Sequence, residues 1–105
     1  MAIFNFKRNI PKFGYIYAIT HGTYIGQFIV FVEESEYSYG VLMMKAYDGA
    51  EMTVQQINKK DVINGIKNDI IDKVRKLPKD FYTLCCAQYS HIKKTKAGEN
   101  KCRQE

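Results

Sequence analysis

The chain has 105 residues with a formal net charge of +5 and 46% apolar side chains. That is enough for one domain with one modest core, and too apolar for a globally disordered chain. The three cysteines, two of them adjacent at Cys85 and Cys86, exclude a disulfide framework, and the two histidines (His21 and His91) and the cysteines lack metal-ligand spacing. No cofactor is implied. Reduced thiols and the missing apolar h-region predict a cytoplasmic protein without a signal peptide.

Charge is unevenly placed. Residues 1–12 carry Lys7, Arg8 and Lys12; residues 33–56 carry five acidic groups against Lys45; residues 57–96 carry ten basic groups against four acidic. Such polarity steers charged partners of either sign. Thirteen lysines against three arginines, with abundant Ile, Asn, Tyr and Phe, match the codons of an A/T-rich genome, as in phages, mobile elements and low-GC bacteria.

Met1–Lys12 reads as a short edge strand or packed arm ended by Pro11. Phe13–Val32 contains no Asp, Glu, Lys or Arg and is rich in aromatic and β-branched residues. A hairpin is predicted, Phe13–Thr20 with Thr23–Glu34, turning at His21-Gly22. The competing reading, a membrane span, fails on His21, Gly22, Thr23, Gly26 and Gln27 at its centre.

Tyr37–Tyr47 alternates Tyr37, Tyr39, Val41 and Met43 against Gly40, Leu42, Met44 and Ala46, which predicts an interior strand apolar on both faces. Asp48-Gly49 is a turn signal, and Glu51–Ile57 supplies a fourth strand with Met52 and Val54 inward. Asn58 is a good N-cap, and the spacing of Val62, Ile63, Ile66, Ile70, Val74 and Leu77 predicts one helix from Lys59 to Lys76. Gly65 weakens that helix and could break it; Pro78 stops it. Phe81, Leu84, Cys85, Gln88, Tyr89 and Ile92 predict a second helix from Lys79 to Lys93. Residues 1–93 thus form a single domain, and 94–105 are expected to be a polar, disordered tail. The fold class is α+β: a four- or five-stranded antiparallel curved sheet or small SH3-like barrel, followed by one or two C-terminal helices.

No catalytic constellation is visible. His21 reads as a turn residue, and Cys85 falls on an apolar helical stripe where thiols act as small hydrophobes. Tyr15, Tyr17, Tyr24, Tyr37, Tyr39 and Tyr47 lie in predicted strands; they could stack bases but fit a core or core edge better. Lys59, Lys60, Lys67, Lys73, Arg75, Lys76 and Lys79 form a basic set suited to phosphate, with too little arginine for base-specific reading. Glu33, Glu34 and Glu36 are the alternative, an acidic face for a basic protein partner.

GYIYAI at Gly14–Ile19 and GQFIVFV at Gly26–Val32 resemble the first two strands of the MazF/PemK endoribonuclease toxins, small SH3-like barrels that dimerise and cleave RNA without a metal. That family leads its second strand with Arg-Pro, whose arginine helps catalysis; Gln27-Phe28 stand here. The resemblance covers roughly 40 residues and bears on fold more than activity, since one fold hosts many functions. The sequence therefore points to a small non-enzymatic binding or inhibitor protein of phage or mobile-element origin. Its partner would be nucleic acid or a nucleic-acid-handling host complex, with no membrane involved. A MazF-like ribonuclease and a structural or homodimeric interaction protein are the alternatives.

Overall fold

The computed structural model describes residues 9–45 and 51–104, with side chains described as far as Thr95. Five strands, β1 (Tyr15–Ile19), β2 (Phe28–Glu34), β3 (Ser38–Met44), β4 (Thr53–Asn58) and β5 (Ile71–Lys76), form one antiparallel sheet in the order β4-β3-β2-β1-β5. Two helices join them, α1 (Lys59–Lys67) and α2 (Lys79–Gln104). The sheet stays open, with β4 and β5 as its edges. Of the two predicted architectures, the open sheet is the one formed.

Alternation along the strands builds two cores. Tyr17, Ile19, Ile29, Phe31, Tyr39, Val41, Met43 and Ile71 pack on one face with Val62 of α1. Ile16, Val30, Leu42 and Met44 pack on the other with Leu77, Cys85 and Tyr89. The interior strand β3 is buried on both faces from Tyr39 to Met44, as its sequence predicts.

The second helix runs past the expected Lys93 to Gln104, and three further expectations are corrected. The β1–β2 connection is not a two-residue turn at His21-Gly22 but a loop over residues 20–27, held by Ile25 N–H to Gly22 O, Gln27 N–H to Tyr24 O and Gly26 N–H to Ile19 O. Gly22 and Gly26 both have positive φ, 95° and 86°, so the loop folds back twice before β2 begins. Tyr24 consequently leaves the sheet and is exposed. Tyr37 also lies outside its predicted strand, exposed in the β2–β3 turn, and Ala46, Tyr47 and Asp48-Gly49 lie outside the described residues.

The largest correction concerns the helix over Lys59–Lys76. It starts as predicted: the Asn58 side chain accepts from Lys60 N–H at 2.8 Å. It runs unbroken through Gly65 and ends at Lys67, where the chain makes a Schellman turn. Ile70 N–H reaches Gly65 O at 2.8 Å and Asp69 N–H reaches Ile66 O at 3.2 Å, with Asp69 at φ 59°. Ile71–Lys76 then enters the sheet as β5, pairing Ile71 with Ile19 and Lys76 with Tyr15. Gly65 is a packing requirement rather than a break, because a Cβ there would lie 2.7 Å from Ile71 Cδ1. Pro78 consequently separates β5 from α2, its carbonyl accepting Tyr82 N–H at 2.9 Å.

Asp69 occupies a backbone region that costs an L-residue about 1 kcal/mol and glycine almost nothing. Asp69→Gly is therefore expected to be neutral or to stabilise by about 0.5 kcal/mol, and Asp69→Val to destabilise by about 1–2 kcal/mol. Thermal melts of the two variants check the order; a valine variant as stable as wild type would refute the turn.

Candidate nucleic-acid interface

The early end of α1 redistributes the basic residues. Lys59, Lys60 and Lys67 lie on α1; Lys73, Arg75 and Lys76 lie on the edge strand β5; Lys79 opens α2. They do not share one helical face. Pairing across β1 sets their sides: Lys73 opposes Tyr17 and Lys76 opposes Tyr15 on the α1 face, while Arg75 opposes Ile16 on the α2 face. Val74 is the extra residue at the β1–β5 bulge, which lets charged side chains leave the edge on both sides. Every residue from Asp72 to Lys76 is exposed.

A lysine outside the predicted set joins this edge. Lys12 Nζ lies 5.9 Å from the Tyr15 ring centroid and Lys73 Nζ 5.1 Å from the same centroid. Two ammonium groups thus share one aromatic ring, each contact worth about 0.5–1 kcal/mol when exposed. Lys12 is fixed by its own main chain, whose N–H donates to Tyr17 Oη at 2.9 Å. Burial raises the Tyr17 pKa, opposed by the hydrogen bond from Lys12, so the phenol stays neutral as an acceptor. The sequence signal for Lys12 was weak: one basic residue between Pro11 and an apolar strand. Arg75 lines a cavity of about 240 Å³ with Ile16, Leu77, Pro78 and Phe81.

The acidic alternative is arranged differently. Val32 is the extra residue of a second bulge, so Glu33 turns toward α2 and Glu34 toward α1. Each meets a lysine there: Lys93 Nζ to Glu33 Oε1 at 3.2 Å, Lys59 Nζ to Glu34 Oε2 at 2.7 Å. Glu33 in turn raises the Lys93 pKa by hydrogen bonding. Glu36 stands exposed in the following turn. Lys59 is accordingly a partner of Glu34, also 5.3 Å from the Tyr39 ring, rather than an open cation. Lys45–Glu51 is a third ion pair. Lys60, Lys67, Lys73, Lys76 and Lys79 form none of them.

His21 acquires an orienter that the sequence did not show. Thr20 Oγ1 donates to Asp69 O at 2.7 Å, which uses its one hydrogen; at 2.9 Å the His21 Nδ1 must then be the donor to Thr20 Oγ1. The ring lines a cavity of about 350 Å³ floored by Ile19, Met43, Ile57 and Ile71 and bordered by Asp61 and Asn64. The geometry provides an imidazole oriented by Thr20 at the mouth of a mostly apolar cavity.

Cys85 is buried, and burial raises its pKa further, which makes it a poor nucleophile. Tyr82, pushed up to about 12 chiefly by burial, stays protonated and donates to Phe31 O at 3.1 Å. Among the described residues no three His, Cys, Asp or Glu side chains are grouped to hold a metal, and no helix is long and apolar enough to cross a membrane. Comparison with protein-family models, curated proteins and solved structures finds no match.

Proposed function

We propose that this is a non-enzymatic binding protein that holds the phosphate backbone of nucleic acid along its β5 edge. The observation that carries this reading is the contrast between the two charged regions. Glu33 and Glu34 are tied to lysines, whereas Lys73, which shares the Tyr15 ring with Lys12, and Lys76 project from β5 with no carboxylate in ion-pair reach among the described residues. Arg75 and Lys79 extend the same edge. Lysine-rich contacts of this kind hold phosphate without reading bases, so binding is sequence-tolerant and salt-sensitive. The A/T-rich composition suits a phage or mobile-element gene, where such a protein would act as an inhibitor at a host nucleic-acid-handling complex.

The test is a salt titration against fluorescent single- and double-stranded RNA and DNA, using wild type and the triple charge reversal Lys73→Glu, Arg75→Glu, Lys76→Glu. Losing three contacts is expected to weaken single-strand binding roughly 100-fold and to flatten the log–log salt slope by about 2. Unchanged affinity in the variant, or no binding by wild type at low salt, defeats the proposal. Cleaved probes would favour the ribonuclease alternative, with His21 as its base.

A further inference from the structure

The two edges of the sheet are unlike, and the difference points to a second copy of this chain. β5 carries three basic side chains and one acidic, is exposed from Asp72 to Lys76, and is broken by a bulge. Charge and bulging are how natural sheets prevent edge-to-edge pairing. β4 has neither device. Its sequence TVQQIN contains no charge and no proline, and its register with β3 runs without a shift from Thr53 to Asn58. Among the described residues no strand pairs with its outer side.

The charges around β4 also favour self-association. Beyond its first residue Lys45 is paired with Glu51, and beyond its last Lys59 is paired with Glu34. A chain of net charge +5 repels its copies in general, yet this edge is closed at both ends by neutralised pairs. A partner of strong charge of either sign would gain nothing here, whereas an identical edge brings the same neutrality.

We infer that β4 pairs antiparallel with β4 of a second copy about a twofold axis perpendicular to the sheet. That axis keeps the α1 faces of both copies on one side, so directly opposed residues must come from the same face of the strand. Several registers meet that condition; we take the one centred on Gln55, which places Gln55 across from its own copy, Thr53 across from Ile57 and Val54 across from Gln56, because Gln56 is engaged elsewhere. Gln55 is available for this, as its side chain makes only a long 3.4 Å bond to Thr53 Oγ1. Gln56 is held by Tyr89 Oη at 2.8 Å and stays on the α2 face. The product is a ten-stranded sheet with a basic β5 edge at each end, about 43 Å apart at the usual strand spacing.

Sedimentation velocity over a concentration series tests this. Wild type is expected to move from 12.2 kDa toward twice that mass as concentration rises. Gln55→Lys and Gln55→Glu are each expected to remain monomeric with unchanged circular dichroism, and a 1:1 mixture of the two to recover the dimer. Wild type that stays monomeric at all concentrations overturns the inference, as does a dimer that survives in both single variants. Failure of the mixture to re-dimerise overturns the register at Gln55. None of these readouts depends on nucleic acid, so the outcome is separable from that of the β5 proposal.

Discussion

Gly40→Ala is expected to destabilise the protein by about 2–3 kcal/mol, although it adds one methyl group to a strand. Gly40 is buried in β3, the most enclosed strand, on the face that receives α2. A Cβ there would overlap the Tyr89 hydroxyl and approach Tyr89 Cζ at 2.8 Å and Gln56 Nε2 at 3.2 Å. Neither neighbour gives easily. Tyr89 is buried, and its hydroxyl accepts from Gln56 Nε2 at 2.8 Å, so relief requires α2 to lift from the sheet. For a domain of this size each kcal/mol moves the melting midpoint by about 4–8 °C, which puts the expected drop at roughly 10 °C or more. A double-mutant cycle isolates the cause. Tyr89→Phe removes the overlapping oxygen and takes one partner from the exposed Gln56 amide, which still accepts from Ser38 Oγ, at a cost of about 0.5–1 kcal/mol. In that background Gly40→Ala should cost less than in wild type, though not nothing, because Cζ remains close. Strict additivity of the two changes would show that α2 does not rest on Gly40.

What the sequence made legible follows from which interactions are local. The two-faced apolar pattern of Tyr39–Met44 and the Asn58 cap depend on neighbouring residues and were readable. The stretch Ile66, Ile70, Val74 and Leu77 fits a helical period equally well as a strand following a turn. Only contact with β1, through Thr20 N–H to Ile70 O at 2.8 Å and Leu77 N–H to Gly14 O at 2.8 Å, decides between them. The usable signal was Asn68-Asp69, two residues that disfavour helix interiors and tolerate positive φ. Misplacing that one boundary put Lys73, Arg75 and Lys76 on a helix and hid the basic edge strand. The orientation of the Thr20–His21 pair was illegible for a related reason, since its partner Asp69 lies 49 residues on in the chain; Lys12 differs, its partners Tyr15 and Tyr17 being close in sequence but carrying no motif that marks them.

The second large effect concerns Phe31, where the core and the basic edge are joined. The side chain is 0% exposed, and its ring meets Tyr17 edge-on at 5.2 Å, Tyr39 edge-on at 5.6 Å and Phe13 at 6.4 Å. Its carbonyl accepts from Tyr82 on the opposite side of the sheet. Phe31→Ala removes the hub of four rings and leaves a cavity that strand pairing prevents from collapsing, at an expected cost of about 3–5 kcal/mol. Total stability for a chain this long is of order 5–15 kcal/mol, so the variant should melt some 15 °C or more below wild type, and at the low end of that range be largely unfolded at 37 °C. Phe31→Leu keeps most of the volume and loses the edge-on contacts, and should cost about 1–1.5 kcal/mol with cooperative unfolding retained. The leucine variant also reaches the interface. Phe13 rests on Phe31 and Tyr39, and Lys12, next in the chain, is tied to the Tyr17 hydroxyl. Loosening Phe31 therefore frees the Lys12 segment without removing any charge, and on the proposed β5 binding mode nucleic-acid affinity should fall by less than in Lys12→Ala while the salt slope keeps its wild-type value. A leucine variant that alters the slope would mean that the core sets the number of phosphate contacts, and a variant that binds as wild type would mean that Lys12 is held by Tyr15 and Tyr17 alone.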